Sequence, residues 1–364
     1  MKKNIVFLFH FLGGVYFAIF LIAFTACVIM LGTAIESYTG SHALAAIWTY
    51  EHPLFFTLLI LFFINILFSA LRRWPFKRQH LPFLLTHWGL LMIIGGTMIK
   101  NSIGLQGILS VCEGSANNRV VLPSTYALLI EKGDKQGQTS SREILLPSLL
   151  PQVYYPDHFP GLQCRVIGYA PHVQEKYMNG MKRREIIPEK PPRNKEEHRP
   201  GIVLEVSEDG KTETIALAYD PTFQNYKWPL LHGKYVVRFQ PQQKEIPYRI
   251  RLRQARQNFY PHSTKTYSYE SDVWIIAKNQ PAIPHTLSMN NVYESWDGYR
   301  FYLAGIGKWL HTDIPCVQFA VNHDPAKYWL TYPGALFVCI GSALLLFFRN
   351  QTFRQKIGPL QTMP

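Results

Sequence analysis

Hydrophobic positions are unevenly spread along the chain. Residues 5–31 run without a charge behind Lys2 and Lys3, residues 53–71 read PLFFTLLILFFINILFSAL, residues 81–99 carry no full charge, and residues 329–348 form a fourth apolar run. Each has the length of a bilayer-crossing helix, about 20 residues. Between the third and fourth runs the pattern changes to short alternating stretches: Tyr126–Ile130, Cys164–Tyr169, Gly201–Val206, Tyr235–Phe239, Val273–Ala277 and Tyr299–Leu303. Turn signals such as Glu208-Asp209-Gly210 and Trp296-Asp297-Gly298 separate them. Alternation of period two bounded by such turns predicts antiparallel strands in a sandwich or barrel.

The predicted architecture is therefore an integral membrane protein. Four transmembrane helices, three plus one, enclose a large extracytoplasmic antiparallel β domain between helices 3 and 4. The division is 1–100 for the three-helix region, 101–328 for the β domain, 329–348 for the last helix and 349–364 for a cytoplasmic tail. Residues 32–52 read as a short loop. The stretch 176–200 is dense in Lys, Arg, Glu and Pro, which predicts a mobile excursion from the β domain.

Charge orients the spans. Net charge is +13, yet ten of the 37 Lys/Arg lie outside residues 101–329 against only two of the 24 Asp/Glu. Lys2 and Lys3, the cluster Arg72-Arg73-Trp74-Pro75-Phe76-Lys77-Arg78, and Arg349, Arg354 and Lys356 flank the apolar runs. By the positive-inside rule both termini and the 72–80 loop face the cytoplasm, and residues 32–52 and 101–328 face outward. The basic balance thus reports membrane topology, with the cytoplasmic (inner) membrane the expected location, and no nucleic-acid partner is expected. The first run is about twice the length of a signal-peptide core and lacks a clean cleavage site, so it reads as an uncleaved span.

Candidate chemistry is sparse. His87 is the one titratable side chain in the third run. A ring placed in hydrocarbon is costly and by default marks function. Neutral imidazole is also a strong iron ligand. The plainer alternative is a hydrogen bond to a neighbouring helix, worth on average about 0.6 kcal/mol. His10, within the first run, admits the same two readings, with an interfacial role the simpler one. Asn65 is a candidate inter-helix donor.

There are five cysteines and no Cys-x-x-Cys. Cys27 and Cys339 fall in spans. Cys112, Cys164 and Cys316 fall in the outer domain, where an odd number leaves at most one disulfide and a free thiol. The outer histidines, His158, His172, His198, His232, His262, His285, His311 and His323, are scattered. No phosphate-cradling loop, zinc spacing, nucleophile elbow or paired catalytic carboxylates can be read, so no catalytic residue is assigned.

Several segments resemble a known family. They are Leu12-Gly13-Gly14-Val15-Tyr16 leading into Leu31-Gly32-Thr33-Ala34, the 72–78 cluster followed by Leu81-Pro82-Phe83-Leu84-Leu85-Thr86-His87-Trp88-Gly89, then Ser288-Met289-Asn290-Asn291, Gly298-Tyr299-Arg300-Phe301-Tyr302 and Val321-Asn322-His323-Asp324-Pro325. Together these are similar to the ResB/CcsB proteins of System II cytochrome c biogenesis. The resemblance implies a non-catalytic or co-catalytic subunit that works with a ResC/CcsA-type membrane protein. The pair would carry haem b across the membrane and present it to reduced apocytochrome c for thioether attachment. The resemblance makes His87 one axial ligand to a haem shared transiently with the partner. A thioredoxin-like thiol reductant is a further implied partner. Two other functions stay open at this point. One is a membrane-anchored scaffold whose β domain holds apocytochrome or the partner without ligating haem. The other is a stand-alone b-type cytochrome using His10 and His87 together.

Overall fold

The computed structural model describes residues 2–357 except 41, 51, 134–138, 147–151, 158, 178–183, 190–198, 220–226, 263–265, 279 and 309–312. Six α-helices are described: α1 Lys2–Leu12, α2 Val15–Thr39, α3 His42–Trp48, α4 Pro53–Leu71, α5 Leu81–Ile103 and α6 Tyr332–Ile357. Among the described residues, four segments are long and apolar enough to cross a membrane: Val15–Thr39, Pro53–Leu71, Arg78–Ile103 and Lys327–Phe348. The protein buries only 11–28% of the residues in their most apolar windows, so most of their hydrocarbon surface faces outward. Apolar area on that scale marks an interaction surface in any protein.

The first apolar run departs from the expected single helix over 5–31. It breaks at Gly13-Gly14, which places His10 on the separate helix α1 and moves the long apolar helix to Val15–Thr39. The break is held from α4. Asn65 Nδ2 donates to the carbonyls of Leu12 (2.6 Å) and Gly14 (3.2 Å), and Arg72 Nη1 donates to that of Gly13 (3.0 Å). These bonds satisfy carbonyls that the interruption frees, as buried backbone requires. A Cβ on Gly13 would come within 2.9 Å of the Phe68 backbone, so the crossing of the two chains there is close.

The 32–52 connection is also more ordered than a loop. Helix α2 continues to Thr39 and ends on Gly40, whose φ of 66° and N–H bond to the Glu36 carbonyl form a left-handed cap. The short α3 follows. His52 then caps α4, its Nδ1 accepting from Leu54 N at 3.2 Å, with Pro53 in the first turn. Helix α4 has the limits that its apolar pattern predicts.

Helices α5 and α6 form the tightest seam. A Cβ on Gly89 would meet the Gly334 carbonyl oxygen at 2.5 Å, one on Gly334 the Gly89 oxygen at 2.8 Å, and one on Gly96 the Thr331 hydroxyl at 2.7 Å. Gly341 lies equally close to Thr86. Small residues repeated at the contact let two backbones approach. The fourth apolar run begins with a π-helical turn, Lys327–Thr331, before α6 proper, and α6 continues past residue 348 to Ile357.

Among the described residues, sixteen strands lie between α5 and α6, and all their pairings are antiparallel. They are β1 Leu105–Cys112, β2 Ala116–Gly133, β3 Thr139–Leu146, β4 Val153–Tyr154, β5 Gln163–Ala170, β6 Val173–Tyr177, β7 Arg184–Pro188, β8 Gly201–Glu208, β9 Lys211–Ala218, β10 Trp228–Leu230, β11 Tyr235–Phe259, β12 Thr266–Ala277, β13 Ile283–Ser288, β14 Tyr293–Glu294, β15 Tyr299–Lys308 and β16 Pro315–His323. The large sheet runs β13-β12-β11-β2-β1-β16-β15-β14, with β10 on β11 and β3 on β2. A second sheet runs β4-β5-β8-β9.

Two cores result. In the core farther along the chain from the helices, Leu128, Ile130, Val237 and Phe239 of the large sheet pack on Cys164, Val166, Ile202, Leu204 and Val206 of the second sheet. The other core gathers Leu109, Val120, Ile250, Leu252, Phe301, Phe319 and Val321. The long strands β2 and β11 serve both, and register shifts between Pro241 and Gln243 and between Glu245 and Ile250 bend β11 from one core to the next. Within the 176–200 stretch, Lys176 and Tyr177 pair with Arg184 and Glu185 in the β6–β7 ladder; residues 178–183 and 190–198 lie outside the described residues.

The helix pair and the sheet join directly. Only Gly104 separates α5 from β1, and β1 pairs with β16 from Leu105↔His323 to Cys112↔Cys316. Cys112 and Cys316 form a disulfide that closes the far end of this ladder across 204 residues of sequence. Near the helices, Glu294 accepts from Arg300 (2.6 Å), Tyr328 Oη (2.5 Å) and the buried Lys327, so β14 and β15 are tied by charge to the start of the last apolar segment. Burial works against the Glu294 carboxylate. The donated hydrogen bonds win and hold its pKa down at about 2.

Candidate functional site

The site is built on the flank where α5 meets α4. Pro82 opens α5, and with 1.5 Å of rise per residue His87 lies about 9 Å along its axis from the 72–80 end. His87 is half-buried. Its Nδ1 stands 2.9 Å from the Phe83 carbonyl oxygen one turn earlier. A carbonyl only accepts, so Nδ1 carries the proton in this contact. In the neutral ring the lone pair then belongs to Nε2. The nearest partner of that nitrogen is Ser69 Oγ on α4, at 3.5 Å, the outer limit of a hydrogen bond.

Phe83 fixes the ring further. The Phe83 and His87 centroids are 3.7 Å apart with planes tilted 31°, and the Arg73 guanidinium sits 3.7 Å over the same Phe83 ring. One α5 turn therefore presents an oriented imidazole with a weakly engaged nitrogen, and the Arg73 guanidinium rests on the same Phe83 ring that the imidazole touches. A donor set of this kind suits one axial position on a haem iron: the far nitrogen of the ligand is held by a carbonyl, as metal-bound histidines commonly are.

His10 is not brought to this site. It is exposed on α1, its nearest described ring contact being Phe9 at 6.0 Å, and no described contact joins it to His87. Among the described residues no three His, Cys, Asp or Glu side chains converge on a metal position. His285 stands edge-on to Tyr293 at 5.6 Å, and His323 stacks on Tyr299 at 4.0 Å with Nε2 donating to the Asp297 carbonyl at 3.1 Å. His172 Nδ1 accepts from Arg199 N, and His232 and His262 occupy turns with φ of 61° and 58°. His158, His198 and His311 lie outside the described residues. Cys164 is buried, and burial pushes its thiol up to about 12, which makes it a packing residue and a poor nucleophile. Cys27 and Cys339 are exposed on their helices.

Sequence reasoning had no access to Ser69 or Arg73 as neighbours of His87. Ser69 is an ordinary small polar residue in an apolar run, and Arg73 reads as one more topology charge. The Glu294–Lys327 pair did carry a signal: Lys327 immediately precedes an apolar run, where an ammonium needs a partner.

No protein-family model and no curated protein matches this chain.

Proposed function

We propose that this protein is a ResB/CcsB-type component of System II cytochrome c maturation. It works with a ResC/CcsA-type membrane partner, passes haem b across the cytoplasmic membrane, and helps present it to reduced apocytochrome c. In this reading the four apolar helices span the bilayer. The end carrying Arg72, Arg73, Lys77 and Arg78 is cytoplasmic together with both termini, and the β domain is outside. Support comes from the arrangement of the ends: α1 packs against Phe68 near that basic loop, whereas α3 and the α5–β1 junction share the opposite end.

The observation that carries the proposal is the state of the His87 ring. Nδ1–H is committed to the Phe83 carbonyl, and Nε2 has only a 3.5 Å neighbour. His87 would give one axial nitrogen, Arg73 would pair with a propionate, and the partner would close the other axial position. Iron bound in this way supplies a redox centre whose potential the axial ligands set. The chain itself orients the imidazole, holds its proton on Nδ1, and keeps the ring below the headgroups. Splitting the ligands between two proteins lets the cargo leave when the helices separate. A thioredoxin-like reductant would keep the acceptor cysteines reduced, and no catalytic residue is assigned here.

The test is co-purification with the partner and a haem absorption spectrum. His87→Ala is expected to lower haem content at least tenfold and to abolish holocytochrome formation, while Ser69→Ala and His10→Ala retain both. Unchanged haem and unchanged maturation in His87→Ala would defeat the ligand assignment. The Ser69 contact favours one second reading, a structural His87 in a membrane-anchored scaffold. Under it, His87→Ala and Ser69→Ala lower thermal stability alike and leave haem with the partner.

A further inference from the structure

A cavity of about 530 Å³ opens at the junction of the helices and the β domain, far along α5 from His87. Its size is that of a small-molecule site. Lys100 and Asn101 reach it from the end of α5, Lys244 from β11, Thr125 from β2 and Asn322 from β16, with Thr97 one turn below Lys100. No Asp or Glu lines it among the described residues. Neither lysine side chain has an ion pair or hydrogen bond among the described residues, and the neighbouring Glu245 is engaged by Arg119 at 3.2 Å. Asn322 Oδ1 is buried without a hydrogen-bond partner. The cavity thus combines two ammonium groups that have no ion pair among the described residues with the hydroxyls of Thr97 and Thr125 and the amides of Asn101 and Asn322.

We propose that this cavity binds the phosphate-bearing headgroup of an anionic phospholipid, with Lys100 and Lys244 on the phosphate. Lysine recognises phosphate as a point charge. A glycerol headgroup adds hydroxyls to meet the Thr97, Thr125 and Asn101 side chains that line the cavity. The position fits a lipid of the outer leaflet, because the cavity begins where the apolar run of α5 gives way to Lys100, and α3 forms the facing wall with Ala46. The inference rests on the membrane placement proposed above and is independent of haem ligation by His87.

The test is native mass spectrometry of the full chain released from bilayers containing phosphatidylglycerol and phosphatidylcholine. One phosphatidylglycerol per chain is expected to be retained, at least tenfold in preference to phosphatidylcholine. Each lysine near a membrane surface contributes about fivefold. Lys100→Gln should therefore lower retention about fivefold and the double variant with Lys244→Gln about twenty-fivefold. The corresponding Lys→Arg pair should keep it, and Lys211→Gln, exposed on β9 away from the cavity, should change nothing. Equal retention of the two lipids, or an equal loss in Lys211→Gln, overturns the assignment. Inorganic phosphate added to lipid-free protein should leave the thermal midpoint unmoved; a shift as large as that given by phosphatidylglycerol means a free anion is the ligand and overturns the lipid. Carbonate extraction separates the two failures. A chain released into the aqueous phase refutes the membrane placement, whereas a chain that stays in the bilayer without lipid selectivity refutes only this site.

Discussion

Helix α5 packs against both α4 and α6 and meets them in opposite ways. Toward α6 it presents Gly89, where the backbones approach so closely that a Cβ would meet the Gly334 carbonyl oxygen, and Gly96 faces the Thr331 hydroxyl of the turn before α6. Toward α4 it presents His87, a half-buried ring whose Nε2 is 3.5 Å from its nearest partner. The first contact is dense, uncharged and complete within the chain. The second is loose and leaves chemical capacity unused. The difference shows why apolar character alone does not locate function in a helical bundle: a closed seam gains its energy from dispersion at contact distance, whereas a ligand needs a donor left under-engaged.

The contrast can be broken first at the seam. Gly89→Leu drives a side chain into the Gly334 backbone and is expected to cost more than about 3 kcal/mol, seen as loss of folded protein on detergent size-exclusion. His87→Ala should do the reverse, removing bound haem while leaving the folded yield intact. If the two variants behave alike, the flanks are not distinct. Cys112→Ser with Cys316→Ser opens a ladder that closes 204 residues, and the expected cost is about 2–5 kcal/mol, read as a lower thermal midpoint under oxidising conditions and no change under reducing ones.

A smaller effect is expected with pH. The Glu294 carboxyl titrates at about 2 in the folded protein against an ordinary 4.5, so its contribution is complete above about pH 4.5 and is lost as pH falls through about 2. Wild-type protein should lose about 1–3 kcal/mol across that window, and Glu294→Gln should show a lower midpoint at pH 7 with a flatter acid profile. A wild-type midpoint that does not change between pH 5 and pH 2 would contradict the junction described. Smallest of all is Ser69→Ala, expected to change haem content less than twofold.

Much of the layout was legible in the residues. The limits of α4 follow from Pro53 and the Arg72-Arg73 pair, and strands such as β8 and β9 follow from alternation around Asp209-Gly210, whose φ values of 48° and 76° make the tight turn. The break at Gly13-Gly14 was not legible, because two glycines inside an apolar run also suit a close helix crossing. What decides it is Asn65 and Arg72, about fifty and sixty residues away, reaching back to the carbonyls. The 32–52 connection was misjudged for a related reason: α3 is short, and its neighbours at the domain junction set it in place more than its own periodicity does.

By itself the sequence determined the four apolar helices, the antiparallel domain between the third and fourth, and the presence of one imidazole in α5, since each depends on local periodicity and on the cost of leaving apolar groups in water. Only the tertiary structure decided which nitrogen of His87 is held, that Cys112 pairs with Cys316 and leaves Cys164 buried, and that Lys100, Lys244 and Asn322 share one cavity. Those facts depend on distances between residues far apart in the chain, and such distances exist only once the backbone has closed on itself.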